Sequence, residues 1–205
     1  MTPRRYRKDK RQAAVDHTRQ RIVQATMELH NQQGVLATSF EDIARRADVA
    51  VATVYRHYPT LDDLVGACGR LTVETIQPPQ PHNARELLAG LRSPTHRIAR
   101  VAQEYAAFYE RARLPFITVL RDRLAVKGLQ DFLDQHHANL EAFVRAALAP
   151  EIAPGSAPPK PSAEAVALAM VLLDFPTWQG LVDRGVKRAR VAEVLADLLA
   201  CALKL

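Results

Sequence analysis

The stretch Ser39 to Tyr58, SFEDIARRADVAVATVYRHY, leaves little freedom of fold. Ser39 can accept from the free amides of a first helical turn, and the acids Glu41 and Asp42 follow where the helix dipole favours negative charge. Phe40, Ile43, Ala44 and Ala47 recur at helical spacing and make one apolar face, with small Ala44 leaving room for a second helix to cross closely. Asp48, Val49 and Ala50 form a non-helical step in which Val49 plugs the angle. A second short helix, about Val51 to Tyr58, buries Val54 and Tyr58 and leaves Val51, Ala52, Thr53, Tyr55 and His57 outward or sideways. Pro59 ends it, and Thr60 caps a third helix that opens with Asp62 and Asp63 and runs through Leu64, Val65 and Ala67. This is the pattern of a helix-turn-helix, whose second helix fits the major groove of duplex DNA.

Proline divides the remainder. The run QPPQP, Gln77 to Pro81, ends the third helix, and Asn83 starts a short helix through Leu87, Leu88 and Leu91. Ser93-Pro94 is a cap followed by proline at the first helical position, opening a helix to about Arg113 that carries Ile98, Val101, Ala102, Tyr105, Phe108 and Tyr109. Pro115 starts or kinks the next helix, with Phe116, Val119, Leu120 and Leu124 inside. Gly128 weakens it, and a helix resumes from Asp131 to Leu148. Residues 150–161 hold five prolines and one glycine, the composition of a mobile surface loop. Two last helices span about 162–186 and 190–204. No alternating strand pattern competes, so the expected class is all-α. The expected organisation is a basic flexible arm over 1–16, a three-helix DNA-binding domain over 17–59, a connecting helix over 60–76 and a helical bundle over 83–205.

Charge supports that division. Residues 1–21 hold eight Lys and Arg against Asp9 and Asp16, and this surplus equals the +6 of the whole chain, so the remainder is balanced. Such an arm, disordered when free, lies against phosphates or in a minor groove when bound. Cys68 and Cys201 lie far apart without metal-ligand spacing, which fits a reducing cytoplasm. No apolar core follows the basic N-terminus and no run of about 18 apolar residues occurs, so neither a signal peptide nor a membrane span is expected. Glycine-rich phosphate loops, a nucleophile elbow, HExxH and CxxC are all missing, which gives no catalytic residues and no cofactor. His136-His137 is read as a solvated pair rather than a metal site, because neighbours on a helix point apart.

The last two helices are apolar nearly all round. Val166, Ala169, Met170 and Leu173 make one stripe, but Ala163, Ala165, Ala167, Leu168, Val171 and Leu172 widen it, and Val191, Val194, Leu195, Leu198, Leu199 and Ala202 do the same in the final helix. Helices of this kind need cover on two sides. Either these are the central helices of a monomer or a second copy of the chain supplies the cover in a two-fold, four-helix interface, with Pro176 and Gly180 kinking the first helix of the pair.

From Arg21 to Ala67 the chain resembles the TetR-type family of bacterial transcriptional regulators. The resemblance rests on Ile22, Ala25, Leu29, Gly34, Thr38-Ser39, Ile43-Ala44, Ala47 and Val49, and above all on Thr53-Val54-Tyr55-Arg56-His57-Tyr58 followed by Thr60, Asp62 and Leu64. Asp48 stands where glycine is common, Ala50 where a capping serine or threonine is usual, Leu61 where a phosphate-binding lysine is usual, and His30 where an aromatic is usual. The resemblance implies a homodimer that binds a palindromic double-stranded operator and is released by a small-molecule effector held in the C-terminal bundle. An activator, or a ligand-independent DNA-binding protein of the same fold, is the alternative. Implied DNA contacts are Thr38, Ser39, Glu41, Val51, Ala52, Thr53, Tyr55, Arg56 and His57. The hydroxyl and imidazole groups suit phosphate, Val51 and Ala52 suit thymine methyl groups, and the Glu41 carboxylate can accept from cytosine N4. Candidate effector-lining residues are Tyr105, Phe108, Tyr109, Phe116, Leu120, His137, Phe175 and Trp178.

Overall fold

A computed structural model describes residues 3–149 and 160–205, with side chains from Asp9 onward; most of the proline-rich segment expected as a mobile loop lies outside the described residues. The helices are α1 (Pro3–Gln33), α2 (Phe40–Ala47), α3 (Val51–His57), α4 (Leu61–Ile76), α5 (Ala84–Leu87), α6 (Pro94–Asp122), α7 (Lys127–Leu148), α8 (Ala163–Leu173), α9 (Phe175–Asp183) and α10 (Arg188–Leu203), with a 3-10 turn at Pro81–Asn83 leading into α5. No strand occurs among the described residues, so the chain is all-α. It divides into two units, Met1–Thr75 with Ile117–Phe132, and Ile76–Phe116 with Leu133–Leu205. Residues 117–132 thus join the N-terminal unit, although in sequence they lie in the middle of the expected bundle.

The basic run differs from the expected flexible arm: α1 begins at Pro3 and continues unbroken to Gln33. The reason is composition. After Pro3, which suits a first helical position, the segment offers Arg, Lys, Gln and Ala with no glycine or further proline until Gly34. Its buried positions begin only at the far end, where Ile22, Val23, Ala25 and Leu29 join Ile43, Ala44, Ala47, Val54, Tyr58, Leu64, Ala67 and Cys68 in one buried cluster. Met27, Phe40, Val49, Val51 and Leu71 pack at its margin.

Between α1 and α2 the chain turns at Gly34, whose φ of +98° suits glycine, and a Cβ there would collide with the Arg121 guanidinium. The Val35 N–H donates to the buried Asp122 carboxylate at 2.7 Å, and the Thr118 hydroxyl donates to the His30 carbonyl at 3.2 Å. The end of α6 therefore satisfies the Val35 N–H, which lies outside any helix ladder, and adds a second donor to the His30 carbonyl, which also accepts from the Gly34 N–H at 2.9 Å.

Several local expectations are revised. Pro115 neither starts nor ends a helix; α6 runs through it, carried by buried Ala112, Phe116 and Val119 on either side. The break falls at 123–126 instead, so α7 already includes Gly128, and Leu124 is 89% exposed rather than inside. The helix expected over 162–186 is two helices bent by 44°. Asp174 is the hinge, its carboxylate accepting from the Phe175 N–H at 2.8 Å, while Pro176 occupies the first turn of α9 and Gly180 lies within it. In the C-terminal unit α8 packs on both α9 and α10, burying Val166, Ala169 and Leu173 with Val191, Leu195 and Leu199. The opposite sides stay open: Val171 is 66% exposed, and Leu168, Leu198 and Cys201 are exposed too. No single helix among the described residues is long and apolar enough to cross a membrane.

His30 gives the N-terminal unit a measurable acid sensitivity. Its ring is buried and its Nε2 has no hydrogen-bond partner among the described residues. Burial lowers its pKa from 6.5 to about 4, with the Asp122 charge opposing the shift. The unfolded chain therefore takes up a proton first as pH falls below 6.5, so this group's stability is intact above that pH and is lost on the way to 4. The loss should be roughly 2–3 kcal/mol. Urea denaturation of wild type and His30→Phe at pH 7 and pH 4.5 checks this: the variant should show a clearly smaller drop between the two conditions.

Candidate functional site

The helix-turn-helix is assembled by caps that can be followed group by group. The Ser39 hydroxyl accepts from the Asp42 N–H at 3.1 Å while the Asp42 carboxylate accepts from the Ser39 N–H at 3.3 Å, a reciprocal box that starts α2. The Ser39 hydroxyl donates to the same carboxylate at 2.6 Å, and this bond, then that from the Ser39 N–H, holds the Asp42 carboxyl below its ordinary pKa. Thr60 and Asp63 repeat the arrangement at the start of α4. Between α2 and α3, Asp48 adopts the left-handed conformation at φ 51°, ψ 56°, and its N–H and that of Val49 return to carbonyls of the last turn of α2. Asp48 therefore does the job of the glycine it replaces. It does not cap α3: Ala50 stands at that N-cap with no side-chain bond.

Arg21 is a structural residue that sequence reading missed. Its guanidinium donates to the carbonyls of Ala47 and Asp48, the latter at 2.9 Å, tying α1 to the turn. A lone arginine on a basic helix gives no warning of this in the sequence.

The residues expected to meet DNA separate into two groups. Glu41, Ala52, Tyr55 and Arg56 are exposed, and Val51, Thr53 and His57 are half-buried beside them. The Tyr55 ring stacks on Phe40 with centroids 4.4 Å apart and planes 11° from parallel, so the phenol is held with its ring against α2 and 48% exposed. His57 has a lowered pKa, from partial burial and then the charges of Arg56 and Arg19, so at neutral pH it offers a neutral imidazole N–H. Arg19 lies over the Tyr58 ring, 5.8 Å from its centroid. Thr38 and Ser39 are different. Thr38 is nearly buried and its hydroxyl donates to the Gly34 carbonyl at 2.6 Å, while Ser39 is occupied by its capping box. Both shape the turn before they offer anything to a ligand. Arg45 and Arg46 pair with Asp42 and Glu28 at 3.2 and 2.9 Å.

In the C-terminal unit Tyr105, Phe108, Tyr109, Phe116, Phe175 and Trp178 are all buried and in ring contact with one another, with centroids 4.8 to 6.2 Å apart. The structure brings six of the eight expected lining residues into one cluster. Leu120 belongs to the N-terminal unit and is half-buried. His137 lies outside the ring cluster, on Asp174. Two grooves, of about 790 and 570 Å³, lie in the N-terminal unit, and none of the six rings lines either. The Tyr105 hydroxyl is buried without a hydrogen-bond partner among the described residues.

His136-His137 is not the solvated pair that helical geometry suggested. His136 is 6% exposed, and both imidazoles turn toward one carboxylate: His137 Nε2 lies 3.1 Å from Asp174 Oδ2 and His136 Nε2 lies 3.6 Å from Asp174 Oδ1. His136 Nε2 is also 3.0 Å from the Tyr109 hydroxyl, which donates to the Leu173 carbonyl at 3.0 Å. Burial would raise the Asp174 pKa, but hydrogen bonds from both histidines outweigh it and hold the carboxyl well below its ordinary range. The same carboxylate raises His137 against burial, whereas burial wins at His136 and lowers it. Asp174 lies 37 residues away in sequence, behind the proline-rich segment, so spacing gave no hint of the meeting.

A capped two-helix corner with an exposed, polar second helix defines a DNA-binding protein of the helix-turn-helix class. Residues 22–68 match the model of the family described as bacterial regulatory proteins, tetR family. The chain is 23% identical over 114 residues, 56% of its length, to the HTH-type transcriptional regulator HbdR of Aromatoleum sp. (strain CIB). It is 48% identical over 46 residues, 22% of its length, to an HTH-type transcriptional repressor of Mycobacterium tuberculosis. These matches span about half of HbdR, 48%, and about a quarter, 24%, of the mycobacterial protein. The fold is similar to that of NalD, the secondary repressor of the MexAB-OprM multidrug efflux pump in Pseudomonas aeruginosa, at a TM-score of 0.63 and 19% identity over 92% of this chain and 97% of that one. It is also similar to a putative transcriptional regulator from Saccharomonospora viridis in complex with choline, at 0.62 and 16% identity over 90% and 96%.

The bare N-cap of α3 makes a direct test of this local account. Ala50→Ser should supply the missing acceptor and raise unfolding stability by about 1 kcal/mol. Chemical denaturation monitored by circular dichroism measures it; an unchanged midpoint would show that the α3 amides already have adequate partners.

Proposed function

We propose that this chain is a cytoplasmic homodimeric repressor that holds a palindromic duplex operator through α2 and α3 and releases it when a small molecule binds the C-terminal unit. The observation that carries the DNA reading is the exposed edge of α3: Tyr55 braced on Phe40, Ala52 and Arg56 exposed, and Thr53 and His57 beside them. The Tyr55 hydroxyl, the His57 imidazole and Arg56 act on phosphates, which fixes position without reading sequence. Val51 and Ala52 meet thymine methyls, and Glu41, exposed at the first turn of α2, accepts from cytosine. One such helix reads few bases, so two copies at half-site spacing do the reading together. The uncovered apolar sides of α8 and α10 supply the self-association.

Release requires that the effector prefer one arrangement of the dimer over the other. The aromatic cluster is its proposed seat, with the unpartnered Tyr105 hydroxyl as the polar group an effector can engage. Within the N-terminal unit, Asp122 at the end of α6 accepts from the Val35 N–H in the turn that leads to α2. A second reading, DNA binding without an effector, is favoured by one observation: the six rings already touch, so a ligand must part them.

Tyr55→Ala and His57→Ala should each weaken operator binding roughly tenfold or more, the equivalent of losing about 1.4 kcal/mol, across different duplex sequences. Fluorescence anisotropy reads the affinity and sedimentation the intact dimer; wild-type affinity in both variants would sink the assignment. Deleting residues 1–11 should make the dependence of binding on salt shallower, by about 0.9 in log–log slope for each phosphate that the shortened chain no longer neutralises. A melting-temperature screen of small molecules with wild type and Tyr105→Phe decides between the effector and effector-free readings.

A further inference from the structure

Independently of the operator reading, the His136, His137 and Asp174 cluster admits a specific assignment. One ligand atom from each of these residues lies within 4.8 Å of the other two, on three side chains of graded burial that come from α7 and from the α8–α9 bend. Neighbours on a helix normally diverge, yet here the two Nε2 atoms converge on the two oxygens of a single carboxylate, at 3.6 and 3.1 Å. Asp174 already has a structural bond, accepting from the Phe175 N–H at 2.8 Å, and one imidazole would suffice to balance its charge. The second imidazole, buried and bonded to the Tyr109 hydroxyl at 3.0 Å, also reaches that carboxylate, so two nitrogens and a carboxylate gather around one point.

We propose that Nε2 of His136, Nε2 of His137 and the carboxylate of Asp174 bind a divalent transition-metal ion of the zinc, cobalt and nickel class. Two nitrogens and one carboxylate oxygen suit these borderline ions better than calcium or magnesium, which take oxygen ligands. Donors on a tetrahedral zinc ion stand about 3.4 Å apart, so atoms within 4.8 Å of one another need to close by at most roughly 1.4 Å. The Tyr109 hydroxyl, 3.0 Å from His136 Nε2 and oriented by its bond to the Leu173 carbonyl, borders the three donors. Both imidazoles then bind through the Nε2 lone pair, with the proton on Nδ1. Occupancy ties α7 to the hinge between α8 and α9.

The test uses the full-length chain, freed of metal with a chelator, and Zn²⁺ or Co²⁺ alone as probe. Calorimetry should give one saturable site per chain. The melting temperature should rise by roughly 5–10 °C at a hundredfold excess over Kd, and Co²⁺ should produce the visible absorption of a low-coordinate nitrogen–oxygen site. His137→Gln, at a half-exposed position, and Asp174→Asn, which keeps an acceptor for the α9 cap, should each abolish the thermal shift and the Co²⁺ spectrum, with helicity retained by circular dichroism. His96→Gln, on the exposed start of α6, should change neither. No saturable binding by wild type, or binding undiminished in both cluster variants, overturns the proposal and leaves a histidine–aspartate ion pair that only staples the bend. If one cluster variant unfolds, the other decides.

Discussion

A single buried carboxylate organises the helix-turn-helix end of this molecule. Asp122, the last residue of α6, accepts the Val35 N–H at 2.7 Å and has the Arg121 guanidinium at 3.2 Å. The bond joins groups 87 residues apart and closes the turn between α1 and α2, where the backbone has left one helix and not yet entered the next. A buried amide without a partner costs about 1–3 kcal/mol, and a buried carboxylate without donors costs more. Each group therefore satisfies the other, and the direction in which α2 leaves α1 follows. Everything downstream inherits that direction: the capping box at Ser39, the left-handed Asp48, and the placement of Tyr55 against Phe40.

The corner itself was legible because its causes are local. Ser39 and Thr60 cap, Val54 and Tyr58 bury, and Val49 fills the angle, each within a few residues of the group it serves. The bundle was legible as helices, less so as boundaries. Proline misleads at 115, where buried neighbours on both sides carry the helix past a missing N–H, and glycine misleads at 128, which the first turn of α7 tolerates. Long-range meetings were not legible at all. Nothing in HHANL announces that two adjacent histidines share an aspartate beyond the proline-rich segment, and nothing near Arg21 announces its hold on Ala47 and Asp48. Nor could hydrophobic spacing separate packed rings from a ligand's walls, since the same pattern describes both.

Asp174 shows how one side chain can serve two levels of structure. As an N-cap it makes possible the 44° bend that splits the expected long helix into α8 and α9. As the shared partner of His136 and His137 it binds that bend to α7. Shape and chemistry thus meet at a residue that periodicity treats as an interruption.

The turn at Gly34 and the surface of α3 differ sharply in how much change they allow. At Gly34 the positive φ strains any side chain and the Arg121 guanidinium would have to move aside for it, while Asp122 holds the N–H of the next residue. Helix α3 has seven residues, no side-chain cap, and among them only Val54 fully inside. Its outer positions carry little of the fold's stability. Descendants of this sequence can therefore exchange the outer side chains of α3 almost freely while the frame presenting them tolerates little change. Binding preference is left open to drift, and the angle at which it is exercised is inherited.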